Sequence, residues 1–436
     1  SESAPFGTIE HALTKVCDLD QVVLLPGTYE EDSLIVDRKI TLASKYLIDN
    51  DTSHASSTII QSQNNFILSW KTEGNKSWAD TSNSKIQYIT FKGGNNSDYS
   101  FANGLTVENS ALLLEGVVFD SIVGTSYSGI YSKSSILALK EISIKNLQNS
   151  LRALLYSDYS YLRLQNVDVR NIEFDASYSL FDIHRSFEFV IDGLNVNDVS
   201  GASRMIDIWY QNGDFAWNDL KILNNQYSNS AIYVYDYHSS DYEIQVSNLL
   251  IAKNISNSYS AINIQSDRGI FSVLNSTIVE NNSSLSPIRY NPYSSGSNNK
   301  FFLINSIVAA ESNVESFSFG NMSNGKFYVE YSLLQNGLVI PQGVNSNNIF
   351  ASNNKYSLAA LTDVDGNDFS PSKYSQALGQ GVLSGSLGGY SFVSESYDIE
   401  GNSRPWNSGE NPDIGAVESP LDTFEQGIIT IHDDNG

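Results

Sequence analysis

Tyr161-Leu-Arg-Leu-Gln-Asn-Val-Asp-Val169 alternates apolar and polar side chains and is broken only at Asn166. Such alternation marks a strand with one buried face. The pattern returns along the chain at Gly116, Glu141, Asn166, Gly193, Asp219, Asn248, Ser276, Ser306 and Ser332, in steps of 25 to 30 residues. An apolar, any, apolar triplet follows almost every point, as in Val117/Phe119, Ile142/Ile144, Val167/Val169, Leu194/Val196, Leu220/Ile222, Leu249/Ile251 and Ile307/Ala309; Thr277 and Gln335 interrupt it. A period in this range signals stacked repeats that bury their apolar faces against one another.

The unit contains strands and tight turns, and no stretch keeps helical spacing for three turns. A coil of about 25 residues built this way is that of a parallel β-helix. A leucine-rich repeat would need its Leu/Asn consensus, and a propeller blade about 40–45 residues. The expected fold is therefore all-β, a parallel β-helix solenoid, right-handed by the general preference of parallel crossovers. Two residues past the triplets stand Asn146, Asn171, Asp198, Asn224 and Asn281, with Lys253 and Glu311 as exceptions. Asn here suits either a left-handed corner or an amide ladder along the stack.

Repeats grow a core in one dimension, so the 436 residues read as one domain over 1–420. Residues 1–20 form an N-terminal cap, 21–340 the coils, 341–420 further coils and a closing motif, and 421–436 a linker or the start of another module. In the cap, Ile9, Ala12, Leu13 and Val16 share one face of a short helix that Thr8 starts. The helix would cover the open edge of the first coil.

Acidic residues number 49 against 25 basic, a formal charge of −24. Nucleic acid, which needs clustered Lys and Arg, is not an expected partner. Polyuronates would be repelled unless Ca²⁺ or a local basic strip intervened. The single Cys17 excludes an internal disulfide, and no apolar run is long enough to span a membrane.

Helix, strand, Pro26-Gly-Thr-Tyr29, then Lys39-Ile-Thr-Leu42 resembles the start of secreted β-helix proteins of the pectate-lyase-like superfamily. Near the other end, Asp398, Gly401 and Arg404, then Asp413-Ile-Gly-Ala416 and Glu418, resemble the closing motif of bacterial surface "choice-of-anchor Q" domain proteins. The resemblance implies an exported, secreted or surface-attached bacterial module within a longer protein; it implies no reaction. Arg404 among Asp398, Asp413 and Glu418 suits a charge-assisted structural cluster. A Ca²⁺ site using the same carboxylates is the alternative; no cofactor is required, and a metal site is otherwise undefined.

On the remaining strand of each coil, aligned outward positions form two rows. One reads Tyr131, Tyr156, Asp182, Asp207, Tyr233, Asn263, Arg289; the other Lys133, Asp158, His184, Trp209, Tyr235, Gln265, Asn291. Arg185, Tyr210, Tyr237 and His238 lie beyond them. Aromatic rings suit sugar C–H faces and the polar groups suit hydroxyls. The expected glycan-binding residues are Tyr156, Asp158, Arg185, Trp209, Tyr210, Tyr233, Tyr235 and Tyr237, and the partner a polysaccharide or cell-surface glycan. Plain cross-strand stacking is the competing explanation. Asp182, His184 and Asp207 are the candidate catalytic groups for a polysaccharide lyase or glycoside hydrolase. A structural stalk or adhesin repeat without a ligand is the third possibility.

Overall fold

The structure is a computed structural model. It describes residues 6–421 apart from 73–75, 96–101, 124–128, 150–152, 175–177, 211–212, 237–240, 257–259, 293–298, 311–313, 321, 323–324 and 343, with backbone alone at 148–149. The chain winds into a parallel β-helix. Among the described residues the large sheet holds 21 strands and the second sheet eleven, all paired parallel from coil to coil. Long strands such as Tyr161–Phe174 and Glu188–Ser200 run side by side in register, with Leu162 opposite Phe189 and Val167 opposite Leu194. Their inward residues join one continuous core that runs the length of the solenoid.

Left-handed corners bend each coil. One follows the second-sheet strand at Asn109, Ser134, Tyr159, Arg185 and Tyr210, with φ of 47–57°. The next two bend the large-sheet strand, at Gly116, Glu141, Asn166, Gly193, Asp219 and Asn248, then at Asn146, Asn171, Asp198, Asn224, Lys253 and Glu280. Asn and Asp tolerate this backbone better than other side chains. The two roles open to the Asn row are thus divided between neighbouring positions. Asn146, Asn171, Asp198 and Asn224 are corners, whereas Asn281 lies one residue past its corner in a buried ladder. There Asn225 Nδ2 donates to Asn254 Oδ1 at 3.0 Å, and Asn254 Nδ2 to Asn281 Oδ1 at 2.9 Å. Ser276, Ser306 and Ser332 form a parallel hydroxyl ladder, each Oγ accepting a backbone N–H from the coil before.

The repeat register also needs correcting after Asn248. The corner falls at Asn275, Asn305 and Tyr331, one residue before the serines. Leu250 therefore pairs with Thr277, and Thr277 with Ile307, and these point outward, while Ile251, Ile278 and Val308 fill the core. Thr277 is no interruption. The alternation is masked because the outward face is also buried: Leu250, Ala252, Val279, Ile307 and Leu333 pack against Phe369, Ile399, Ile414 and Ala416.

That covering layer comes from the C-terminal segment. Beyond Ile349–Ser352 the described residues add no strand to either large sheet. Two antiparallel hairpins, Leu361–Asp363 with Asp368–Pro371 and Ser384–Leu387 with Tyr390–Val393, and the loops after them fold back along the flank. Lys221 reaches Glu400 at 2.7 Å, Tyr390 OH donates to Ser272 Oγ at 2.9 Å, and Asn305 Nδ2 donates to the Val382 carbonyl. At the other end the helix is a short turn, Ile9–Leu13, capped by the Thr8 hydroxyl. It buries Ile9 and Ala12 in the core, with Leu13 and Val16 packed beside it.

Candidate functional site

The outer face of the second sheet carries both rows in the aligned register. Tyr131, Tyr156, Asp182, Asp207, Tyr233, Asn263 and Arg289 are successive partners, as are Lys133, Asp158, His184, Trp209, Tyr235, Gln265 and Asn291. Each step spans one coil, about 4.8 Å.

Five rings form a continuous pile along this face. Tyr131 and Tyr156 are 5.5 Å apart and nearly parallel, Tyr156 and His184 5.3 Å, His184 and Trp209 6.0 Å, Trp209 and Tyr235 4.6 Å. The pile stabilises the sheet in the ordinary cross-strand manner. It also changes what the face offers. Rings inside the pile lie against one another, and two of their nitrogens are engaged within the protein, His184 Nε2 with Asp182 and the Trp209 ring N–H with Asp207. Rings that lie against their neighbours leave less face for sugar C–H stacking, the expected mode.

The charged residues are paired. Arg185 grips Asp158 with Nε and Nη2, both at 2.9 Å, and lies over the Tyr159 ring at 4.3 Å. His184 Nε2 meets Asp182 Oδ1 at 2.7 Å. Asp207 accepts from Ser179 Oγ at 2.8 Å and from Arg204 Nη1 at 2.6 Å, and the Trp209 ring N–H also acts on it. Burial and, secondarily, the neighbouring Asp182 raise the Asp207 carboxyl above the usual range, against the opposing pull of Arg204. Arg204 lies 3.9 Å over Tyr233, which is buried.

These contacts sort the expected residues. Asp182, His184 and Trp209 share the half-buried centre, with Arg185 and Tyr210 raised at its rim by their left-handed corners. Tyr156 and Tyr235 flank it within the pile. Asp158 is committed to Arg185, Tyr233 supports Arg204, and Asp207, the partner of Asp182 on the next coil, is 3% exposed. Tyr237 and His238 lie outside the described residues. Arg204 and Ser179 escape the sequence reading because they sit on the turns that lead into the strands, outside both rows.

The closing motif is a buried cluster. Arg404 Nη1 lies 2.8 Å from Glu418 Oε1, and Arg404 Nη2 donates to the Ala416 carbonyl. Asp398 accepts the backbone N–H groups of Glu400, Asn402 and Glu418, and Asp413 those of Gly379 and Ser419. With so many carboxylate oxygens holding N–H donors and a guanidinium among them, this donor set does not fit Ca²⁺. Nor do Asp182 and Asp207, already engaged by His184 and Arg204. Among the described residues no three His, Cys, Asp or Glu side chains cluster as metal ligands.

No family model matches the chain, and no curated protein matches it. Among solved structures the fold is similar to a PL6 alginate lyase in complex with a trisaccharide, at 8% identity over 94% of this chain and 90% of that one, with a TM-score of 0.39. It is also similar to pectate lyase Pel9A, at 12% identity over 96% and 92%, again with a TM-score of 0.39. The likeness is one of coil architecture and assigns no residue a role.

Proposed function

We propose that this β-helix is an exported, surface-attached module that binds polysaccharide along the outer face of its second sheet. The observation that carries the reading is the five-ring pile from Tyr131 to Tyr235, one ring per coil, with polar groups of His184, Arg185 and Tyr210 beside it. Donors and acceptors repeat at the coil spacing, which is comparable to one pyranose unit, so a chain laid along the axis meets a similar group at each residue. The closing motif, by its resemblance to surface β-helix proteins, supports the export and attachment.

A second reading, an acid–base depolymerase, is favoured by the His184–Asp182 pair at the centre of the same face. Its accessible members are His184 and Asp182, with side chains 25% and 16% exposed. Asp207, buried on the next coil, would act through Asp182 as a positioning residue. Incubation with neutral, uronic and sulfated polysaccharides, read by affinity electrophoresis and by polymer size, separates the two. Retarded migration that Trp209→Ala relieves, with polymer length unchanged, supports the binding module. Shortened polymer that Asp182→Asn or His184→Ala abolishes replaces it with the depolymerase. Neither effect leaves a stalk.

A further inference from the structure

Around the corner from the ring pile lies a cleft of about 360 Å³, lined by Lys76, Ser134, Ser135, Ile136, Tyr159, Tyr161 and Phe187. Its aromatic residues are the more accessible ones: Tyr159, Tyr161 and Phe187 are 41%, 37% and 39% exposed. Tyr161 stacks on Phe187 at 5.2 Å, with Tyr159 6.5 Å from the same ring. An exposed cluster of three rings on one edge of a soluble surface is the kind of patch that marks a ligand site. The volume falls in the range of small-molecule pockets.

Lys76 supplies the second, independent observation. Its ammonium donates to the Ser134 carbonyl and, at 3.4 Å, to Asn109 Oδ1. Among the described residues no carboxylate pairs with it. Partial burial alone lowers its pKa, without an opposing acid. In a chain with about twice as many acids as bases, a partly desolvated cation that no described carboxylate pairs with stands out. The nearby carboxylates are already neutralised, Asp158 by Arg185 and Glu188 by Arg163 at 2.6 Å.

We propose that this cleft is a separate sugar subsite that selects a residue carrying a negatively charged substituent, the ring resting on Tyr159 and Tyr161 and the charge meeting Lys76. The cleft meets the proposed polysaccharide face only through Arg185, which lies over one side of the Tyr159 ring, and it does not require the ring pile to bind anything.

The test is titration of the whole chain at low ionic strength with short oligosaccharides of one backbone in neutral, carboxylated and sulfated forms, read by calorimetry. At least one charged form binds about tenfold or more tighter than the neutral form, and salt erodes the difference. Which of the two does so identifies the substituent. Lys76→Gln abolishes the preference, Lys76→Arg retains it, and Tyr161→Ala weakens binding, each with an unchanged circular dichroism spectrum. The charge preference and its dependence on Lys76 persist in the Trp209→Ala chain, which separates the cleft from the proposed polysaccharide face. Equal affinity for neutral and charged forms, no binding of any form, a preference that survives Lys76→Gln, or binding lost with Trp209→Ala would each overturn the proposal.

Discussion

Thr277 Oγ1 accepts the backbone N–H of Ala416 at 2.9 Å, joining residues 139 apart in sequence. Both groups are buried. The bond couples an outward position of a middle coil to the closing motif, so the flank layer and the coils beneath it share their stability.

Thr277→Val keeps the shape and removes the acceptor. The orphaned Ala416 N–H costs about 1–3 kcal/mol. Urea unfolding should show a lower midpoint, and hydrogen exchange should rise first at Asp413–Glu418.

The closing cluster makes stability depend on pH. Burial lifts the Glu418 carboxyl to about 7 and Asp413 to about 6, both in spite of Arg404. Acids that hold their protons more tightly folded than unfolded make the folded state less stable as pH rises between the two values. The contribution of Asp413 therefore falls as pH climbs from 3.8 through about 6, and that of Glu418 from 4.5 through about 7. Melting temperatures measured from pH 5 to 8 should decline, and Glu418→Gln should flatten much of the decline. A rise across that window would refute the assignment.

Asn254 is the middle rung of the amide ladder. Its Oδ1 accepts from both the backbone and the side chain of Asn225, and its Nδ2 donates to the Ile222 carbonyl. Asn254→Leu strands these groups in a dry interior, at about 1–3 kcal/mol for each one left unpaired. The loss should exceed that of Asn224→Ala, a corner residue nearer solvent, in paired denaturation curves.

Arg204→Met leaves Asp207 buried without its cation. Breaking a buried pair from one side costs about 3–5 kcal/mol while the remaining partner is charged. The penalty should be largest near neutral pH and shrink in acid, where Asp207 is neutral; equal loss at pH 4 and pH 8 would show that Arg204 contributes packing alone.

Sequence revealed those features that depend on register. The repeat, both outward rows and the corner asparagines follow from counting residues, because superposed coils copy their spacing into space. Three features needed side-chain direction. The rows place His184 beside Trp209, but ring tilt, which decides whether faces or edges meet a ligand, leaves no trace in spacing. Arg204 belongs to a turn, where no alternation marks which way it points. Around Leu250, Thr277 and Ile307 the pattern itself misled, since burial on both faces erases the polar half of a strand's signature.

The flank layer also decides how the molecule bears load. A force transmitted through Leu421 does not reach the coils at the last strand, Ile349–Ser352, where rungs could peel away singly. It enters at Ala416 and Gly415, which bond to Thr277 and Asn305, with Lys221 and Ser272 engaged through Glu400 and Tyr390. Several coils would then be loaded side by side in shear, rather than one rung at a time.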